Sequence, residues 1–277
     1  IRFFIGDIRD KDRLYRAFKG VDYVVHAAAT KIVPTAEYNP FECVKTNIIG
    51  SMNVIDAAID SRVSKVIALS TDKASSPINL YGASKLAADK LFVSGNFYSD
   101  EYNTKFSIVR YGNVMGSRGS VIPFFLSQKN SNILTITHPD MTRFMITIEE
   151  AVKLVMDVFE DMNGGEIYVK KIPSMKVVDI AKCIKPDAKL KYIGIRPGEK
   201  IHEQMIGIED APYTYEFDKY YVIFSQIKNA NIIQKINTGK LVSKNFYYTS
   251  LNNKDWMDKS YLSEWIKKNE GKLLENL

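Results

Sequence analysis

Val66-Ile67-Ala68-Leu69-Ser70-Thr71-Asp72-Lys73, followed shortly by Tyr81-Gly82-Ala83-Ser84-Lys85, decides how this chain is read. Val66–Ser70 is a short apolar run, the pattern of a strand buried on both faces of a parallel sheet. Its C-terminal end delivers Thr71, Asp72 and Lys73 to the edge where open α/β sheets bind ligands. Helical spacing runs from Asn79 to about Asn96. Tyr81 and Lys85 stand one turn apart near its start, so both side chains leave from one face. An ammonium beside a phenol favours the phenolate, and a tyrosine poised that way can move a proton while a hydride moves elsewhere. A hydroxyl, a carboxylic acid and an amine beside it form a working set for oxidation plus elimination.

Working outward, strand and helix signals alternate. Ile1–Ile5 is strand-like, Asp10 to Phe18 helical with Asp10 as N-cap, and Asp22 to His26 strand-like ahead of Ala27-Ala28-Ala29. Pro40 suits the first turn of a helix reaching about Ser61, and Phe106–Arg110 is a further strand. This rhythm predicts an α/β protein with a doubly wound, parallel, Rossmann-like sheet. Beyond Gly112 the pattern loosens. Helices are expected near Ile122–Ser127, from Thr147 to about Asp161 behind a Thr147/Glu150 capping box, at Val177–Ile184, and from Pro197-Gly198 with Glu199 in the first turn. A short strand is expected at Glu166–Val169. Residues 1–112, with returning segments near 140–170, are expected to form the dinucleotide-binding domain, and 113–277 mainly a smaller substrate lobe.

Composition sets bounds. The 277 residues carry a net charge of +6, spread along the chain, which favours an anionic small molecule over nucleic acid. No apolar run reaches the ~20 residues a membrane span needs. Cys43 and Cys183 lack metal-ligand spacing, and His26, His138 and His202 form no cluster. A reducing, cytoplasmic setting and no metal site are the expectations.

The chain resembles the extended short-chain dehydrogenase/reductases, and within them the inverting UDP-N-acetylglucosamine 4,6-dehydratases that open pseudaminic acid synthesis. The likeness runs from Ile1 to roughly Trp256. It rests on Gly6-Asp7-Ile8-Arg9, His26-Ala27-Ala28-Ala29, Ser70-Thr71-Asp72-Lys73-Ala74, Tyr81-Gly82-Ala83-Ser84-Lys85, Arg110-Tyr111-Gly112-Asn113-Val114, Met141-Thr142-Arg143-Phe144 and Arg196-Pro197-Gly198-Glu199-Lys200. A Tyr-x-x-x-Lys pair alone is weak; these motifs in this order are specific. The resemblance implies a lyase. Tyr81 takes the proton of the carbon-4 hydroxyl, Lys85 assists it, and Thr71 hydrogen-bonds the reacting oxygen. Lys73 is then the base at carbon 5 and Asp72 the acid at carbon 6. Dehydratases that retain configuration commonly carry Asp-Glu where this chain has Asp72-Lys73.

On the cofactor side the resemblance implies NADP, with NAD possible. Asp7 and Ile8 fall at the adenine, Ala27, Ala28 and Ala29 line the cofactor, and Tyr81 and Lys85 complete the contact. That fold normally begins with a strand, a glycine-rich turn and a helix, which do not precede Ile1. The expectation is a natural protein longer by about two strands and a helix, with this stretch alone binding dinucleotide poorly. For a UDP-sugar substrate the matching positions are Asn113 and, toward the diphosphate, Arg118, Arg143 and Arg196, since guanidinium pairs with phosphate oxygens in a bidentate manner. Glu199 is a candidate for the uridine ribose. The family implies a homo-oligomer.

Each position also has a plain structural meaning: Asp72 as a turn cap, Lys73 as a solvated lysine, Asn113 as a turn residue, the arginines as salt-bridge partners, His26 as a packed strand residue. Two other functions compete. A nucleotide-sugar 4-epimerase needs Tyr81 and Lys85 but has no use for an acid and base at Asp72 and Lys73. A non-catalytic nucleotide-sugar binding protein needs neither pair.

Overall fold

The computed structural model describes residues 1–99, 103–225 and 230–275. The chain divides into two compact units. The first comprises 1–110, 153–171 and 205–247, and the second 111–152, 172–204 and 248–277.

The first unit is built on a seven-stranded sheet whose order is Tyr23–His26, Lys65–Thr71, Lys105–Tyr111, Ile167–Lys170, Tyr220–Ile223, Thr214–Glu216 and Lys240–Leu241. Tyr23–His26 runs parallel to Lys65–Thr71, with His26 opposite Ala68. Lys105–Tyr111 runs parallel to Ile167–Lys170, with Ile108 opposite Ile167. The last three strands are antiparallel. Val66, Ile67, Ile108 and Val109 are fully buried, as their unbroken apolar runs require of strands covered on both faces. The helices Gly50–Asp60 and Leu80–Tyr98 carry the core inward; Phe92 packs on Phe106 with ring centroids 6.2 Å apart. Asp10 caps the helix Lys11–Phe18, its carboxylate accepting from Arg13 N–H.

The second unit holds a three-stranded sheet of Asn113–Val114, Thr142–Ile146 and Ser174–Lys176, and a parallel pair, Ile133–Ile136 with Lys189–Tyr192. The helices Val121–Ser127, Val177–Ile184 and Lys259–Glu275 close over a core that includes Ile122, Phe125, Leu134, Met145, Ile180 and Leu262. Thr147 and Glu150 form the expected capping box: Thr147 N–H donates to Glu150 Oε2 at 3.0 Å and Glu150 N–H to Thr147 Oγ1 at 3.2 Å.

Three expectations fail. Ile1–Ile5 forms no strand; its residues are exposed and no ladder receives them among the described residues, since a strand exists only where a neighbour pairs it. No helix follows Pro197: Gly198 sits at φ 78°, a left-handed turn that ends helical geometry rather than starting it. Residues 214–241 add antiparallel strands to the edge of the parallel sheet, so 205–247 belongs with the first unit and not with the lobe. Antiparallel return strands carry no sequence mark that separates them from strands of a small lobe.

Candidate active site

The strand Lys65–Thr71 ends in one tight turn, Asp72–Ala74, capped by Thr71, whose Oγ1 accepts from Lys73 N–H at 3.3 Å. The Thr71 hydroxyl donates to Asp72 Oδ1 at 3.0 Å, and Lys73 Nζ donates to the same oxygen at 3.0 Å. Asp72 is almost completely buried, whereas a quarter of the Lys73 side chain, 24%, faces solvent. An acid and an amine thus share one hydrogen bond at the C-terminal end of a parallel strand.

The helix Leu80–Tyr98 starts at Asn79, whose Oδ1 accepts from Gly82 N–H at 2.8 Å. Gly82 is what lets this helix lie against the turn: a Cβ there would stand 2.3 Å from the Lys73 carbonyl oxygen. The glycine between Tyr81 and Lys85 therefore sets the distance between the two halves of the sequence signature. Lys85 is buried, and burial pushes its ammonium pKa down, with the Asp89 carboxylate opposing. Lys85 makes no hydrogen bond or ion pair among the described residues. His26 is buried against Phe92, its ring 5.3 Å away. Burial first, then the Lys85 charge, lowers its pKa to about 3, so the imidazole is neutral. It is the packed strand residue of its plain structural meaning.

Two buried networks, neither visible in the motifs, hold these pieces. Asp89 Oδ2 accepts from Ser70 Oγ at 2.7 Å and from Arg110 NH2 at 3.0 Å, and Arg110 NH1 donates to the Met205 carbonyl at 2.7 Å. Asn47 lies in a π-helical turn, Lys45–Ile49, inside the helical run 40–60. Its Oδ1 accepts from Thr30 N–H at 2.8 Å, and its Nδ2 donates to Thr30 O at 3.0 Å and Ser84 Oγ at 2.9 Å. Asn47 thereby ties the segment after Ala27-Ala28-Ala29 to the helix bearing Tyr81 and Lys85. The spacing of Lys85 and Asp89 was the available signal for the first network; Asn47 sits in an apolar helical run that gives none.

Ala27 and Ala28 are exposed and Ala29 half-buried, directly after the strand Tyr23–His26. Asp7 accepts from Arg9 Nε at 3.0 Å and NH2 at 2.7 Å, which holds its carboxyl below the usual range. Ile8 packs where a Cβ on Gly50 would stand 2.5 Å from its Cδ1, and Asn53 Nδ2 donates to the Ile8 carbonyl at 3.0 Å.

The substrate candidates all lie in the second unit. Asn113 pairs beside Met145, its Oδ1 buried without a hydrogen-bond partner among the described residues. The preceding Gly112 is tight, since a Cβ would meet Phe144 Cβ at 2.3 Å. Arg143 is buried and engaged: NH1 donates to Thr142 O at 2.7 Å and Ile201 O at 3.1 Å, and Nε lies 3.7 Å from Glu203. Arg196 is half exposed on its loop, 3.7 Å from Glu199. Arg118 is exposed. Arg143 thus differs from Arg118 and Arg196: its NH1 serves two backbone carbonyls.

A parallel sheet, a buried lysine one turn after a tyrosine, and a polar turn at the strand end define an extended short-chain dehydrogenase/reductase. The chain belongs to the family described as polysaccharide biosynthesis protein, whose model matches residues 1–225. It is 52% identical to the UDP-N-acetylglucosamine 4,6-dehydratase (inverting) of Campylobacter jejuni strain 81-176, across 98% of this chain and 84% of that protein. It is 42% identical to a UDP-glucose 4-epimerase of Rickettsia akari, across 92% of this chain and 76% of that protein. The X-ray structure of Pen from Bacillus thuringiensis superposes with a TM-score of 0.86 at 38% identity, covering 99% of this chain and 82% of that one. No helix among the described residues is long and apolar enough to cross a membrane.

Proposed function

We propose that the protein is a lyase that removes water across carbons 4 to 6 of UDP-N-acetylglucosamine and inverts carbon 5. The observation that carries this is the Asp72–Lys73 pair, held at 3.0 Å beside Thr71 at the end of the strand. Identity of 52% to an inverting dehydratase supports it.

The residues divide the work. Tyr81 accepts the carbon-4 hydroxyl proton, and the Lys85 charge stabilises the phenolate. A nicotinamide dinucleotide, when bound, supplies the hydride acceptor for carbon 4 and the hydride donor for carbon 6. The small exposed side chains of Ala27 and Ala28, and a buried Lys85 with no hydrogen bond among the described residues, fit its nicotinamide-ribose half. Asp7 and Ile8 would take the adenine side, and NADP is the form we assign. A ketone at carbon 4 acidifies the carbon-5 proton. Elimination then needs a neutral amine and a protonated carboxyl. Moving one proton across the Lys73–Asp72 hydrogen bond creates both at once. Lys73 removes the carbon-5 proton, and Asp72 protonates the departing carbon-6 hydroxyl. Once Asp72 is neutral, the Thr71 hydroxyl is released from its carboxylate partner and turns to the carbon-4 oxygen. A solvent-derived proton delivered to carbon 5 from the opposite face inverts it, and the proton taken by Lys73 passes to solvent. Asn113, Arg118, Arg196 and Glu199 are assigned to the nucleoside diphosphate, with Arg143 shaping that region. We further assign the product to pseudaminic-type surface glycans, the place of action to the cytoplasm and the working form to a homo-oligomer.

A second reading, nucleotide-sugar 4-epimerase, is favoured by the 42% identity to the Rickettsia akari protein. The Asp72→Asn/Lys73→Ala variant separates the two. The dehydratase reading expects the 6-deoxy-4-keto product to vanish; full activity of the variant would refute it.

A further inference from the structure

Behind the tyrosine–lysine helix lies a buried charge cluster that the proposed reaction does not use. Asp89 follows Lys85 by one helical turn, so both point from one face of Leu80–Tyr98. Asp89 and Lys85 are both buried, at 1% and 4% exposure. The carboxylate is fixed from two sides. Ser70 Oγ donates to it at 2.7 Å from the residue just before Thr71, and Arg110 NH2 donates at 3.0 Å from the strand Lys105–Tyr111. One oxygen, Oδ2, takes both bonds. The elements packed about Lys85 present few other charges. His26, from the strand Tyr23–His26, is neutral. Tyr81 precedes Lys85 on the same helix, and Asp72 and Lys73 pair with each other at the end of Lys65–Thr71. Arg110 lies against Asp89.

We propose that Asp89 is the positioning residue of the site: it anchors the helix of Tyr81 and Lys85 to the strand end that carries Thr71, and it is the counter-charge of Lys85. The proposal rests on the functional reading only where it says what Lys85 is for. The physical reason is direct. A lone ammonium is costly in a buried setting, and Lys85 has no hydrogen-bonded partner of its own among the described residues. Asp89 opposes the effect of burial on Lys85. A neutral Lys85 cannot lower the energy of a Tyr81 phenolate. Asp89 therefore acts on proton transfer through Lys85 and touches no reacting atom. Ser70 links this charge to the catalytic turn, so the register of Thr71 against Tyr81 depends on the same carboxylate.

The test is a titration of Lys85 by carbon-13 NMR, with lysines labelled at Cε and the Lys85 signal assigned by its loss in Lys85→Arg. It uses the gene's full product, wild type against Asp89→Asn. The expected result is a Lys85 pKa lower by about one unit or more in the variant. Its kcat falls about tenfold or more, KM changes less than about threefold, and the alkaline limb of the kcat profile moves to lower pH. Asp89→Glu restores most of the rate and returns the limb. A folded Asp89→Asn variant whose Lys85 titrates as in wild type overturns the proposal, whatever reaction the enzyme performs. Should Asp89→Asn not fold, Asp89→Asn/Arg110→Met also removes the buried guanidinium that Asp89 pairs and is read the same way: a lowered Lys85 pKa supports the proposal, an unchanged one overturns it. A wild-type enzyme that makes no 6-deoxy-4-keto sugar refutes the dehydratase reading alone, because the titration does not depend on turnover.

Discussion

The turn proposed as catalytic in the first unit and the arginine-bearing segments of the second are built on opposite principles. Thr71, Asp72 and Lys73 are bound to one another, buried or half-buried, and pressed against a helix through a glycine that admits no Cβ. Arg118 and Arg196 are exposed on loops, and Arg196 only approaches Glu199 at 3.7 Å. Proton transfer needs atoms fixed to within fractions of an ångström. Holding a phosphate needs charge that can reach. The difference teaches where rigidity is required, and Arg143 is the exception that defines it: an arginine in the second unit whose NH1 already donates to two backbone carbonyls.

The largest effect should come from the reacting pair. Tyr81→Phe keeps the ring and removes the proton acceptor, so turnover should fall by about 10²–10⁴-fold with an unchanged melting temperature; a loss below tenfold would take Tyr81 out of the chemistry. Next comes the contact between the halves of the motif. Gly82→Ala places a methyl 2.3 Å from backbone, which should cost about 1–3 kcal/mol in urea unfolding and at least about tenfold in kcat. Full activity would mean that helix and turn do not need their close approach.

His26 gives a pH signature. Its folded pKa of about 3 lies below the ordinary 6.5, so the unfolded chain binds the proton more tightly. The stability it contributes is complete above pH ~6.5 and is lost progressively as pH falls toward 3. Between pH 7 and pH 5 the loss should be about 2 kcal/mol. His26→Asn should flatten that part of the profile, measured by denaturation at each pH; an unaltered slope would assign the acid sensitivity elsewhere. The smallest effect on stability belongs to the loop. Arg196→Ala should raise KM about tenfold, the cost of one charge-assisted contact, and leave the melting point alone. Arg143→Ala should do the reverse, lowering the melting point through the Thr142 and Ile201 carbonyls it abandons. Matching behaviour of the two arginines would erase the contrast.

How much of this the sequence announces follows the same division. Val66–Ser70 was legible because a doubly covered strand is apolar throughout, and the Tyr81–Lys85 helix because its cap and periodicity are local. Asp72 and Lys73 stood out because they are adjacent in the chain at a strand end, and they lie 3.0 Å apart. Gly82 was visible only as a letter in a motif; its reason, the approach of Lys73, is tertiary. Ser70, Asp89 and Arg110 come from three elements; the Lys85–Asp89 spacing hints at a buried charge, but no local pattern marks where Ser70 and Arg110 meet it. Ile1–Ile5 has strand composition, yet a strand needs a partner, which composition does not report. Pro197-Gly198 imitates a helix start, but Gly198 adopts the left-handed region and the loop stays open.

The central claim is that one strand end and one helix start form a dehydrating centre in which Lys73 handles the carbon-5 proton. Incubation of the gene's full product with NADP and UDP-N-acetylglucosamine in deuterium oxide, followed by proton NMR, tests it most directly. A new 6-deoxy methyl signal, solvent deuterium at carbon 5 and ring couplings of the inverted sugar are the predicted result. Interconversion of carbon-4 epimers with no methyl signal would contradict it and return Asp72 and Lys73 to the role of a capped turn.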